Sequence, residues 1–263
     1  MVIDFHVHCF PDKLASRAVS QLAECAGIPA RLNGTICGLK DSMRRAGVSK
    51  SVVLSIATKP SQTESINNWS AEIQNDEIIA FGSIHPDNEN WKSELFRIKD
   101  LGLKGIKFHP DYQNFYVDDR KMFPIYEAAF GLGLIVVFHA GVDIGLPAPY
   151  HATPERFRRV IEAFPEGKIV AAHMGSFSYW DDVERFLVGT NIYLDTSYSL
   201  GIITDEQAKR IVANHDYRRV LFATDSPWMD QGEQIAKLKS LHFSREVEEA
   251  ILGLNAKDLL SLL

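Results

Sequence analysis

Eight short runs of β-branched and aliphatic residues recur along the chain, and the stretches between them carry apolar positions at helical spacing. The runs are Val2 to His8, Ser51 to Ala57, Ile78 to His85, Leu103 to His109, Leu134 to His139, Lys168 to His173, Asn191 to Ser197 and Val220 to Asp225. Helical periodicity marks Gln62 to Asn75, Trp91 to Leu101, Arg120 to Leu132, Pro154 to Phe164, Asp181 to Val188 and Asp205 to Asn214, with two more helices after the last run. Strand and helix in alternation indicate a parallel sheet built from βα units. Eight units in 263 residues predict an α/β fold, a single (β/α)8 TIM barrel over residues 1–263. An open doubly wound sheet would advertise a glycine-rich phosphate turn after its first strand, and His6-Val7-His8-Cys9-Phe10-Pro11 has none.

In a closed barrel the C-terminal strand ends share one mouth, where active sites sit. Six of the eight runs end there in histidine or aspartate: His6 and His8, His85, His109, His139, His173 and Asp225. His6 and His8 are two residues apart, hence on one face of their strand, and imidazole is the commonest protein ligand for zinc-type metals. Alternation places Val137 with His139, Ala171 with His173, and Leu221 and Ala223 with Asp225 on inward faces. Asp4 shares the parity of His6 one layer deeper, as an orienting partner or floor residue. Gly105, Lys107 and His109 share a face opposite Ile106 and Phe108, which points Lys107 into the barrel. A buried, unpaired ammonium is costly, so Lys107 is expected to be modified, or paired with Asp225, Asp4 or substrate.

Composition narrows the function classes. The chain is 46% hydrophobic and 24% charged, with a net charge of −6 and a pI near 5.8, which argues against a general nucleic-acid binder. Cys9, Cys25 and Cys37 are odd in number and lack zinc-ribbon or thioredoxin spacing, so a reducing, cytoplasmic setting is expected. No apolar run approaches the ~20 residues of a membrane span, and no leader pattern precedes the first strand. His151, His215 and His242 read as surface residues. Tyr112, Phe115, Tyr116, Tyr150, Phe177, Tyr179, Trp180 and Trp228 cluster in the mouth loops; they suit an apolar or aromatic small-molecule substrate, or, for about half of them, helix-to-barrel packing or a homodimer surface.

Asp-Phe-His-Val-His in strand one, Gly-Ile-Lys-Phe-His-Pro in strand four, Phe-His-Ala-Gly in strand five, Ala-Ala-His-Met-Gly in strand six and Ala-Thr-Asp-Ser-Pro in strand eight together resemble the amidohydrolase superfamily. The best match is its amidohydrolase-2 branch of metal-dependent hydrolases and aminocarboxymuconate-semialdehyde-type decarboxylases. The resemblance implies that His6, His8 and His139 bind a divalent metal, usually zinc, with Asp225 as a further ligand and proton acceptor and His173 beside the metal-bound water or substrate. In binuclear members a carboxylated strand-four lysine bridges two ions, a role open to Lys107 with His139 and His173. Lys107, His109, Tyr112 and Trp228 are the expected substrate contacts. The leading expectation is hydrolysis of an amide, ester or lactone by a metal-activated water; the alternative is non-oxidative decarboxylation of a small carboxylic acid. A TatD-like nuclease would place a glutamate where Lys107 stands.

Overall fold

The computed structural model describes residues 1–262. Its strands are β1 (Ile3–Val7), β2 (Lys50–Leu54), β3 (Ile78–Phe81), β4 (Gly105–Phe108), β5 (Ile135–Phe138), β6 (Ile169–Ala171), β7 (Tyr193–Asp195) and β8 (Val220–Leu221). The helices are α1 (Asp12–Ala26), α2 (Ile36–Ala46), α3 (Thr63–Ile73), α4 (Trp91–Asp100), α5 (Phe123–Gly131), α6 (Pro154–Ala163), α7 (Trp180–Phe186), α8 (Asp205–Asn214), α9 (Gln231–Ser240), α10 (Arg245–Glu249) and α11 (Asn255–Leu259), with a π-turn at Ala250–Leu254 before the last. The strands are parallel, in a β1-β2-β3 sheet and a β4 to β8 sheet in sequential order. Single bridges, Gly82 to Ile106 and Val7 to Ser226, join the two sheets. The result is the (β/α)8 barrel expected from the alternation of elements.

Every strand is shorter than its hydrophobic run, because the chain turns into the mouth before the run ends. Ile3, Phe5, Val52, Leu54, Ile79, Phe81, Ile135, Val137, Val170, Leu221 and Ala223 fill the barrel interior, and Ala256, Leu259 and Leu260 pack with them. The alternate residues, among them Ile106, Phe108, Val136, Phe138 and Leu194, meet the helices in a second, larger core. Gly105 makes room within the barrel: a Cβ there would collide with the Ile135 carbonyl and the Phe81 ring.

Two inward assignments need correction. Between Asp4 and Val7 the register of β1 shifts, so the Asp4 carboxylate does not line the cavity beside the His6 ring, although its Oδ1 accepts from the His6 backbone N–H at 3.4 Å. Its carboxylate accepts hydrogen bonds from Thr224 N (3.0 Å), Thr224 Oγ1 (2.7 Å) and Gln231 Nε2 (2.8 Å), stitching β1 to the end of β8 and to α9. In β6 it is Val170 that faces the interior, and Ala171 packs in the outer core. His173 enters the site because β6 has already ended and His173 takes a left-handed φ of 61°. His215, expected at the surface, is buried and bonds the Ile192 carbonyl; His242 is exposed.

Burial lifts the Asp4 carboxyl to about 7 against the hydrogen bonds from Gln231 and Thr224, which pull the other way. Because this native value lies above the unfolded one, the native state holds the proton more tightly. The resulting stability is complete below the unfolded pKa and is lost as pH rises through about 7. Urea unfolding of the metal-free protein at about pH 5 and about pH 8 should therefore show a loss larger than that of Asp4→Asn by on the order of 2 kcal/mol. Equal losses in the two proteins would remove Asp4 from the pH response.

Candidate active site

The ends of β1 and β8 bring three acceptors to one point. His6 Nε2 lies 3.1 Å from His8 Nε2 and 3.4 Å from Asp225 Oδ1, and His8 Nε2 lies 3.1 Å from the same oxygen. The tautomers follow from the other ring nitrogens. His6 Nδ1–H donates to Asp195 Oδ2 at 2.9 Å and His8 Nδ1–H to the Leu54 carbonyl at 2.9 Å, so both Nε2 atoms present lone pairs. Burial and the charge of Lys107 lower His6 to about 3. Burial pushes the Asp225 carboxyl up, yet the imidazoles of His8, His6 and His173 around it outweigh this and hold it well below the usual range. Lone pairs and an anion in mutual contact repel unless a cation lies among them. Ligand atoms about 2.1 Å from one ion lie roughly 3.0 Å apart at an octahedral angle and roughly 3.4 Å apart at a tetrahedral one, so the donor set fits a divalent metal.

His139, the fourth expected ligand, stands in a second group. Its Nδ1–H donates to His173 Nε2 at 3.0 Å, and His173 Nδ1–H donates to the Ser197 carbonyl at 2.9 Å. This leaves His139 Nε2 as an acceptor. Of the buried side-chain polar atoms without a partner among the described residues, it alone belongs to the cavity lining. Its ring stacks on His109 (4.1 Å, 9°), which stacks in turn on Tyr112 (4.0 Å, 22°). His109 Nε2–H donates to Asp143 Oδ2 at 3.0 Å, while its Nδ1 accepts from the Tyr112 N–H.

Lys107 points inward, as its parity predicts, and is buried. Its Nζ lies 3.3 Å from His6 Nε2, not beside Asp4, which the β1 shift turns away. Burial lowers the ammonium to about 8 while Asp195 and Asp225 support its charge.

Three contributors were missed at the level of sequence. Asp195 is the main one. Its Oδ2 orients His6, while its Oδ1 accepts from the backbone N–H of His173 and Ser197 and from the Ser197 hydroxyl. Asp195 is fully buried, yet His6, His173 and Ser197 overcome that burial and keep its pKa at about 2. Alternation could have found it, since Leu194 faces the outer core and Asp195 must then face in. Asp143 and Trp69, which also line the cavity, lie in segments without a motif.

The cavity above these groups has a volume of about 590 Å³ and includes His6, His8, Lys107, His109, Tyr112, His139, His173, Asp225 and Trp228 in its lining. Every expected ligand, catalytic and substrate-contact residue therefore lines the cavity; His85, the remaining strand-end histidine, does not, and its Nδ1 accepts from the Asp87 N–H. Of the other mouth-loop aromatics expected from the sequence only Phe177 joins this lining. Phe115 packs on Phe108 in the core, Tyr116 lies under Arg156, Tyr150 faces Tyr179, and Trp180 Nε1–H donates to the His173 carbonyl.

An amidohydrolase-2 family model, described as amidohydrolase, matches residues 3–262. A 2-amino-3-carboxymuconate-6-semialdehyde decarboxylase from Dictyostelium discoideum is 27% identical over 70% of this chain, and the match spans 61% of that protein's length. An uncharacterized TIM-barrel protein from Bordetella bronchiseptica superposes with a TM-score of 0.80 at 22% identity, covering 99% of this chain and 98% of that one. A dihydroxybenzoic acid decarboxylase from Polaromonas sp. JS666, with bound manganese and the inhibitor 2-nitroresorcinol, superposes with a TM-score of 0.74 at 18% identity, covering 99% and 97%. At these identities the superpositions establish the barrel. Among the described residues no helix is long and apolar enough to cross a membrane.

Removing the charge behind His6 should loosen the metal centre. Asp195→Asn is expected to weaken metal affinity by about 10- to 100-fold, read by competition with a chromophoric chelator, with near-ultraviolet circular dichroism confirming the fold. An unchanged affinity in a folded variant would show that Asp195 does not orient the ligand.

Proposed function

The chain belongs to the amidohydrolase-2 family, and on that premise we propose that it is a metal-dependent, non-oxidative decarboxylase of a small carboxylic acid. The observation that carries this reading is the buried cation Lys107 on the cavity floor, 3.3 Å from a ligand nitrogen, where a carboxylate meets both an ammonium and the metal centre. The decarboxylases among the similar proteins support it and reverse the order of the two sequence-level readings. His6, His8 and Asp225 would hold the ion, with His139 Nε2 as the additional donor. His139 and His173 bond each other, which favours one ion over a lysine-bridged pair. Two imidazoles and a carboxylate suit zinc or manganese, and manganese accompanies the Polaromonas enzyme.

When bound, the metal supplies Lewis acidity that polarises substrate oxygen atoms. The residues do the rest. Lys107 attracts the substrate carboxylate as a point charge with movable donors. Asp225, kept ionised, accepts the proton of an acidic substrate hydroxyl at a carboxylate oxygen and returns it to the carbon that bears the carboxylate. The carbon–carbon bond then breaks, its electron pair stays on the protonated carbon framework, and carbon dioxide leaves. Asp143 fixes the His109 tautomer, and the Tyr112–His109–His139 stack holds the wall against which the substrate lies. Apolar surroundings exclude water and strengthen these charge interactions.

Zinc- or manganese-loaded protein should release carbon dioxide from ortho-hydroxylated aromatic acids, and chelation should abolish the release. In Asp225→Asn turnover should fall by roughly two to four orders of magnitude with part of the metal retained. Lys107→Met should chiefly raise KM. Cleavage of esters, amides or lactones without carbon dioxide release would overturn the assignment in favour of hydrolysis.

A further inference from the structure

The charged groups of the cavity lie at its inner end, and beyond them the lining is mainly apolar, with Thr58, Gln62 and Ser65 as uncharged polar exceptions near α3. Beyond the ligands, one wall is built from α1 and the loop after it, with Leu22 and Ile28, and another from α3, with Ile66 and Trp69. At the rim Leu14 and Ile144 remain 55% and 42% exposed, so the apolar walls reach out to the mouth. Among the described lining residues no arginine occurs, and Lys107 is the sole ammonium. Asp143 is occupied by His109. Burial pushes its carboxyl up, but the hydrogen bond from His109 outweighs this and holds it below the usual carboxylate range. A second carboxylate on the substrate would lie against leucine, isoleucine and indole with no cation to meet it, a costly desolvation. The volume of about 590 Å³ falls in the range that encloses drug-sized ligands, and such sites bind mainly through apolar lining with a few placed polar groups.

We propose that the substrate is a monocarboxylic acid whose single carboxylate sits at Lys107 and whose uncharged, hydrophobic body, larger than one aromatic ring, fills the space between α1 and α3. This rests on the decarboxylase reading for the placement of the carboxylate. It goes further in setting charge and size: dicarboxylic acids are rejected, and apolar extension of the acid is rewarded.

Calorimetric titration of the manganese-loaded protein tests it with three probes: 2-hydroxybenzoate, 2-hydroxybenzoates bearing linear alkyl chains, and the same chains ending in a carboxylate. Affinity should rise about three- to fourfold per added methylene until the cavity is filled. A chain ending in carboxylate should bind at least about tenfold more weakly than its methyl-terminated equivalent of the same length, in line with the burden of an unpaired buried charge. Leu22→Arg should narrow that gap by placing a cation on the wall. A flat alkyl series, a dicarboxylate that binds as tightly as its methyl-terminated counterpart, or a gap untouched in folded Leu22→Arg would overturn the proposal. The readout is binding. An alkyl series that tightens as expected while no probe yields carbon dioxide would overturn decarboxylation and leave the charge and size assignment standing.

Discussion

Three acceptors facing one another within 3.4 Å constitute an arrangement that a folded chain keeps only when a cation accompanies it or the surrounding structure leaves no alternative. Here the surroundings are strict. The two histidines are tied from behind, one to a fully buried carboxylate and the other to a backbone carbonyl of β2, so neither ring can rotate its lone pair away without abandoning a buried bond. The same carboxylate, Asp195, holds the turn that presents His173. One anion behind the site thus sets the orientation of groups from β1 and β6 together, as outer partners of metal-binding histidines commonly do.

The division of labour within the cavity follows from this. Charge is concentrated on the floor, where each ionised group has a partner, and the walls contribute shape and exclusion of water. In such a setting a charge interaction is worth more than in bulk solvent, so a single ammonium at Lys107 can position an anion that a surface lysine would hold only weakly. The stacked rings of Tyr112, His109 and His139 join floor to wall. Asp143 secures that stack at its middle ring, which explains why an acid with no apparent motif lies in the lining.

Strand alternation made the architecture and most of the site legible. His6, His8, Lys107, His139 and Asp225 could each be assigned to the mouth from a run of apolar neighbours and a polar terminal residue. Alternation failed where the backbone departs from a regular strand. The register shift in β1 separates Asp4 from His6, and the early end of β6 with the positive φ of His173 breaks its parity with Ala171. Neither departure has a sequence signature of its own, since both depend on contacts with the neighbouring strand. Asp195 was missed for a different reason. It ends a strand too short for a strong periodic signal, and a lone aspartate at such a position is commonplace until its partner across the barrel is known. His215 was misplaced because its burial depends on the Ile192 carbonyl, which is remote in sequence.

Closure of the barrel joins distant parts of the chain: Asp4 and Thr224 are 220 positions apart yet hydrogen-bonded, and the ligand cluster sits on that same junction. During synthesis the first strand emerges long before the residues that complete either the seam or the donor set. Until then His6 and His8 can bind an ion only as a loose pair. Contacts of such long range form late because the entropy of closing the intervening loop must be met first. On the proposed ligand set, completing the donors and sealing the cylinder coincide, and an ion held at that junction would act as a clasp between the earliest and latest of these strands.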